Sequence, residues 1–126
     1  MVQRRDGEQG DPLAAFGVQA RRLIDRLSGV SIAWYSAHPI GLPVITRAQL
    51  LRDLIAQLAV LGREGGTGTP EGAAPPLLAD HALADQVAVL AADLLAAPRG
   101  QQVADQAVAA LTGCAQRLWG GERLRR

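Results

Sequence analysis

Aromatic, hydroxyl and imidazole side chains are concentrated in one short run of the chain, WYSAHP, from Trp34 to Pro39. Aromatic rings beside a histidine can line a ligand pocket or anchor a protein partner. The same residues could instead close one end of a helical bundle, with His38 in a hydrogen-bonded turn. We favour this second interpretation. If the first is correct, the binding residues are Trp34, Tyr35 and His38.

A second pair with possible chemistry is His81 and Asp85, which lie four residues apart and could face one metal ion from a helix. A metal site needs at least a third ligand. His38, Asp80 or Cys114 would have to converge on the pair, and nothing in their spacing requires it. We therefore expect a solvated His81, no metal site and no cofactor.

Covalent catalysis also lacks the residues that it needs. The chain contains no lysine, because all thirteen basic residues are arginine, and this excludes a GxxxxGK phosphate loop and Schiff-base chemistry. Its single cysteine, Cys114, falls on the apolar stripe of a predicted helix, where burial makes a thiol inert. No nucleophile elbow is present. We expect no catalytic residues, which makes an enzyme the less favoured class.

Nucleic-acid binding has one weak signal, the arginines at both ends: Arg4, Arg5, Arg123, Arg125 and Arg126. These could meet phosphates if the two ends lie together. The formal net charge is only +1, and no basic helix face with interleaved aromatics is visible. Solvated tails are the simpler interpretation, and nucleic acid is an unlikely partner.

Four helices would have to position these side chains. The first is predicted over 12–28, with Asp11 as its cap and Pro12 at its first position. The second is predicted over 46–62, where Thr46 and Gln49 form a capping box and Gly62 ends the helix. The connector between them, 29–45, contains two prolines and many apolar residues. It should lie against the bundle, with a short strand or one helical turn.

The rest of the chain predicts a linker and two further helices. Residues 63–76 are rich in glycine and proline, which indicates a flexible linker long enough to cross the bundle, so the direction of the next helix stays open. The third helix is predicted over 77–97 and the fourth over 101–119. Because only a tight turn at Pro98–Gly100 separates them, we expect an antiparallel hairpin.

The predicted fold is therefore an all-α four-helix bundle, occupying 12–120 as a single domain. Residues 1–11 read as a disordered tail and 121–126 as an arginine-rich tail. One cysteine fits a reducing compartment, and no signal peptide or membrane-spanning stretch is visible, so we expect a cytoplasmic protein. The absence of lysine and asparagine is typical of a GC-rich bacterial genome.

Self-association is the functional expectation. Val89 lies between Asp85 and Asp93 on the side of the third helix that faces away from its leucine seam, and Trp119 lies at the edge of a wide apolar arc on the fourth. Exposed apolar surface commonly marks an interface, and twofold dimers are the commonest assembly. We expect a non-catalytic interaction module that binds itself or another protein. The alternatives are a ligand site or enzyme at Trp34–His38, and nucleic-acid association through the arginine-rich ends.

Overall fold

The computed structural model describes residues 11–68 and 75–124, with side chains as far as residue 120. Within these ranges the chain forms five α-helices and one 3-10 turn, and no strand. The all-α prediction is confirmed there, and none of the described helices has the length and apolar character needed to cross a membrane. The helices are α1 (Pro12–Leu27), α2 (Ile32–Ser36), α3 (Arg47–Gly65), α4 (Leu83–Ala96) and α5 (Gly100–Leu124), with the 3-10 turn at Asp80–Ala82 before α4.

Each of the first three helices is capped at its N-terminus by the side chain of the residue just before it. The carboxylate of Asp11 accepts a hydrogen bond from the backbone N–H of Ala14, and Thr46 Oγ1 accepts one from Gln49. Ser31 caps α2 in the same manner, by accepting from Trp34. The predicted capping box is only half formed, because the side chain of Gln49 donates to Asp53 instead of returning to the cap.

The second predicted helix runs further than its glycine suggested. Helix α3 passes through Gly62, which is buried, and ends only when Gly66 adopts a left-handed conformation with φ of +93°. Gly65 packs closely against Ala97 and Val103, and this packing offsets the intrinsic cost of glycine in a helix. Residues 63–65 therefore belong to α3, although the sequence analysis assigned them to the linker.

The third predicted helix is shorter than expected. Residues 75–79 have no helical structure, since Pro75 and Pro76 disfavour a helical backbone, and α4 begins only after the 3-10 turn. At the other end Ala97 is extended because Pro98 follows it. Helix α5 begins one residue early and continues past its predicted end at 119 to Leu124.

Four helices surround one core, and α2 covers part of one end. Helix α1 packs against α4 and α5, and α3 packs against the same two. The start of α1 lies beside the start of α5, where Gln101 donates a hydrogen bond to Asp11. The end of α3 lies beside the turn before α5, since the N–H of Arg99 donates to the carbonyl of Gly65. The most deeply buried side chains are Phe16, Leu27, Leu51, Leu54, Leu58, Leu83, Val87, Leu94 and Leu111.

The expected hairpin of the last two helices is not confirmed. Although a short turn joins α4 to α5, the two make far less contact with each other than with α1 and α3, so they lie diagonally across the bundle. Each has an apolar stripe wide enough to touch two neighbours, and α1 and α3 occupy both positions. The count of four helices also needs correction, because within residues 11–68 and 75–124 α2 in the connector makes a fifth.

Candidate functional site

The connector places its aromatic residues on the bundle. Helix α2 is the single helical turn allowed for in the sequence analysis, and it carries Trp34 and Tyr35. Tyr35 is only 4% exposed, and its ring meets that of Trp34 edge to face at a centroid distance of 5.2 Å. Burial first, and then the charges of Asp80 and Asp85, raise the pKa of Tyr35. Its ring therefore serves as packing at this end of the bundle.

Trp34 also stacks on Trp119 from the far end of the chain. Their ring centroids lie 5.6 Å apart, with 27° between the planes. The guanidinium of Arg47 lies 5.0 Å from the Trp34 ring, and that of Arg26 lies 4.0 Å from the Trp119 ring. The four side chains thus form a layered stack of cation, ring, ring and cation. We call it the aromatic stack.

Trp119 is consequently not the surface residue that the sequence analysis expected. It is 6% exposed, and its apolar area is already covered by the aromatic stack and the core. An interface on this monomer surface could use Trp119 only after the stack had opened. Of the two residues expected at an interface, Val89 alone is exposed, at 60%.

His38 ties the connector loop together. Its Nδ1 lies 2.8 Å from the carbonyl oxygen of Ile45. Because a carbonyl oxygen can only accept, Nδ1 carries the hydrogen in this bond. The backbone N–H of Arg47 donates to the carbonyl of Ala37 beside it. Trp34 and Tyr35 are therefore packed at this end of the bundle, and His38 is exposed beside them. The cavities found among the described residues are lined by other side chains.

The remaining candidates do not converge. His81 is exposed, and among the described residues no group of three His, Cys, Asp or Glu side chains is placed to hold a metal ion. Cys114 is buried, and burial raises its pKa to about 12. The terminal arginines Arg4, Arg5, Arg123, Arg125 and Arg126 lie outside the residues whose side chains the structure describes.

A concave apolar site lies elsewhere, between α3 and α4. This cavity of about 410 Å³, which we call the α3–α4 groove, is open to solvent along one side. It is lined by Leu58, Ala59 and Gly62 of α3 and by Val89 and Leu90 of α4. The other lining residues are Thr67, Pro75, Pro76, Leu78, Asp85, Gln86 and Asp93.

Two polar side chains fix the extended segment 75–79 along the groove. The amide of Gln86, almost wholly buried, donates to the carbonyl of Pro76 at 2.9 Å. The guanidinium of Arg52 donates to the carbonyl of Leu78 at 2.7 Å and pairs with Asp80 at 2.9 Å. These bonds satisfy backbone oxygens that proline-rich extended chain leaves unpaired. The groove is thus a built part of the fold.

Sequence reasoning identified Val89 and its two flanking aspartates but missed the groove. The run Pro75–Leu78 offered a signal, because two prolines followed by two leucines favour extended chain with apolar side chains to bury. Gln86, a lone amide on an apolar stripe, offered another. Neither signal says which surface the extended chain lies on. No protein-family model, curated protein or solved structure matches this chain.

Proposed function

We propose that this protein is a non-catalytic protein–protein interaction module that binds through the solvent side of α4 and the α3–α4 groove. The observation that carries the proposal is the uncovered apolar surface there. Val89 is 60% exposed beside a cavity lined mostly by apolar side chains. Contiguous exposed apolar surface on a small domain commonly marks a binding site.

Comparison of the helices supports this choice of surface. The exposed residues of α5 are mostly polar and include Gln101, Gln102, Asp105 and Gln106. On α4 the exposed residues include Val89, Ala92, Leu95 and Ala96, with Asp85 and Asp93 as the charges. A helix with this many apolar residues on its solvent side would more naturally be covered in an assembly. The partner in the proposal is a second copy of the chain or another protein.

Self-association is the form of the proposal that the purified chain can test alone. We expect sedimentation velocity between about 1 and 100 µM to show a reversible dimer, and Val89→Arg to sediment as a monomer. Val60→Arg is the matched control, because Val60 is an exposed valine on α3 outside the groove lining. It should behave as the native chain does.

The proposal also predicts which result would count against it. If native chain and Val89→Arg are both monomeric throughout, the self-association form fails. A photo-crosslinking residue at position 89 then tests for another protein in cells of the source organism, with position 60 as the control. Equal crosslinking at the two positions, together with a monomer in sedimentation, would reject the module.

A further inference from the structure

The α3–α4 groove has a charge pattern as well as a shape. Asp85 and Asp93 are the only charged residues among its described lining residues, and both are exposed. Within the described part of the chain, neither carboxylate forms an ion pair. Arg52 is already bound to Asp80 and to the carbonyl of Leu78. The groove therefore presents a mostly apolar lining with two negative charges on its α4 side.

We propose that the groove binds an amphipathic α-helix of another protein, an inference that rests on the proposed function. This helix has an apolar side chain directed into the groove beside Val89, and an arginine or lysine one turn before and one turn after that side chain. Charge complementarity with Asp85 and Asp93 selects this partner, because a helix with acidic residues at the same places would be repelled.

The spacing along α4 fits such a helix. Asp85, Val89 and Asp93 follow one another at intervals of four residues, so the two carboxylates are about 12 Å apart along the helix axis at 1.5 Å per residue. A partner helix lying alongside α4 repeats the same spacing at its own positions i−4, i and i+4. Helix-in-groove recognition of this kind reads anchors at helical intervals.

A second copy of the chain matches the groove less well. Two α4 helices paired antiparallel about Val89 would set Asp85 of each copy against Asp93 of the other, and like charges brought together are unfavourable. Self-association through Val89 is therefore weak, and a basic helix displaces the second copy because both need this residue.

The test uses a fluorescent alanine-based helical peptide with a central leucine and an arginine four positions to each side. The control peptide has the same sequence with glutamate in place of both arginines. The native chain binds the arginine peptide in anisotropy titrations and the glutamate peptide at least tenfold more weakly. Affinity for the arginine peptide falls as NaCl is raised from about 50 to 500 mM. In sedimentation, the arginine peptide converts the dimer to a monomer–peptide complex.

Variants of the chain locate the binding. Asp85→Asn/Asp93→Asn weakens the affinity for the arginine peptide by roughly fivefold to tenfold, as expected for two exposed ion pairs. Asp105→Asn on α5 leaves this affinity unchanged. Asp85→Arg/Asp93→Arg reverses the preference, so that the glutamate peptide binds better. Equal affinity for the two peptides, or no saturable binding of either, would overturn the groove proposal. Val89-dependent self-association under those conditions would leave the proposed function standing, whereas its absence together with equal crosslinking at positions 89 and 60 would reject both.

Discussion

At the scale of single residues, Trp119 shows how a side chain at one end of the sequence completes a structure begun at the other. Its ring is stacked between Trp34 and the guanidinium of Arg26. Two large rings covered in this way bury much apolar area, and aromatic pairs add a contribution of their own. The aromatic stack should therefore contribute strongly to the stability of this end of the bundle.

Trp119→Ala should lower the free energy of unfolding by about 3 kcal/mol, the usual cost of removing a buried tryptophan. Urea denaturation followed by circular dichroism at 222 nm measures this. Val44→Ala is the control, since Val44 is 93% exposed and its loss should change stability by less than about 0.5 kcal/mol. Equal midpoints for the two variants would show that the stack contributes nothing.

Cys114 should be nearly unreactive in the folded chain. Burial raises its pKa from 9.0 to about 12, so at pH 8 about one thiol in 10,000 is ionised, against about one in ten for a free thiol. Alkylation by iodoacetamide at pH 8, followed by mass spectrometry, should be at least 100-fold slower in buffer than in urea. Similar rates in both would contradict the burial.

The same shift has a consequence for alkaline stability. Because the folded pKa is raised, the stabilisation from the neutral buried thiol is complete below pH 9 and is lost as the pH rises towards 12. Between pH 9 and pH 11, Cys114→Ala should therefore lose less stability than the native chain. A parallel loss in both proteins would mean that the thiol ionises freely when folded.

At the scale of helices, two glycines should respond in opposite directions to alanine. Gly66 has φ of +93°, and a Cβ there would approach the guanidinium of Arg99 to 3.2 Å. Gly66→Ala should destabilise the chain by about 1 kcal/mol or more. Gly113 lies inside α5 with open space around it, so Gly113→Ala should stabilise by about 0.5–1 kcal/mol. Thermal denaturation of both variants tests the pair, and a loss of stability in Gly113→Ala would be the contrary result.

Arg52 fixes the extended segment 75–79 to α3. Arg52→Ala removes the bonds to Leu78 and Asp80 and should cost about 1 kcal/mol, a value reduced because the pair is partly exposed to water. Amide hydrogen exchange across 77–82 should accelerate, while exchange in α5 stays the same. Arg21→Ala is the control, because its 4.0 Å pair with Asp25 is largely exposed. Unchanged amide exchange across 77–82 in Arg52→Ala would show that Arg52 does not hold the extended segment in place.

At the scale of the whole molecule, the direction of α4 can be tested by a crosslink. A Cβ built at Gly65 lies 3.5 Å from that of Ala97, within the range that a disulfide spans. Gly65→Cys/Ala97→Cys, with Cys114→Ser, should oxidise to an intramolecular disulfide. The free energy of unfolding should rise by up to about 3 kcal/mol. Non-reducing electrophoresis and urea denaturation measure both effects. The control pair Gly113→Cys/Ala97→Cys should stay reduced, and crosslinking there instead would mean that α4 is placed differently.

The sequence alone determined the features that depend on near neighbours in the chain. Asp11 and Thr46 cap helices by bonding to residues three positions away, and Pro98 ends α4 through its own ring. These effects act within one turn, so the residue types carry them. The all-α character follows from the same short-range signals and from the helical spacing of leucine and alanine.

Only the tertiary structure determines which helices pack their apolar stripes against each other. Several helices have apolar stripes of similar composition, and the linker predicted over 63–76 is long enough to allow either direction for α4. No local rule therefore pairs α4 with α3 or brings Trp119 to Trp34. Gly65 remains helical with Ala97 and Val103 packed against it, and the α3–α4 groove exists because Gln86 and Arg52 bind carbonyls far from them in sequence. Such choices depend on the summed burial of all the helices together, and no single segment of the sequence contains that sum.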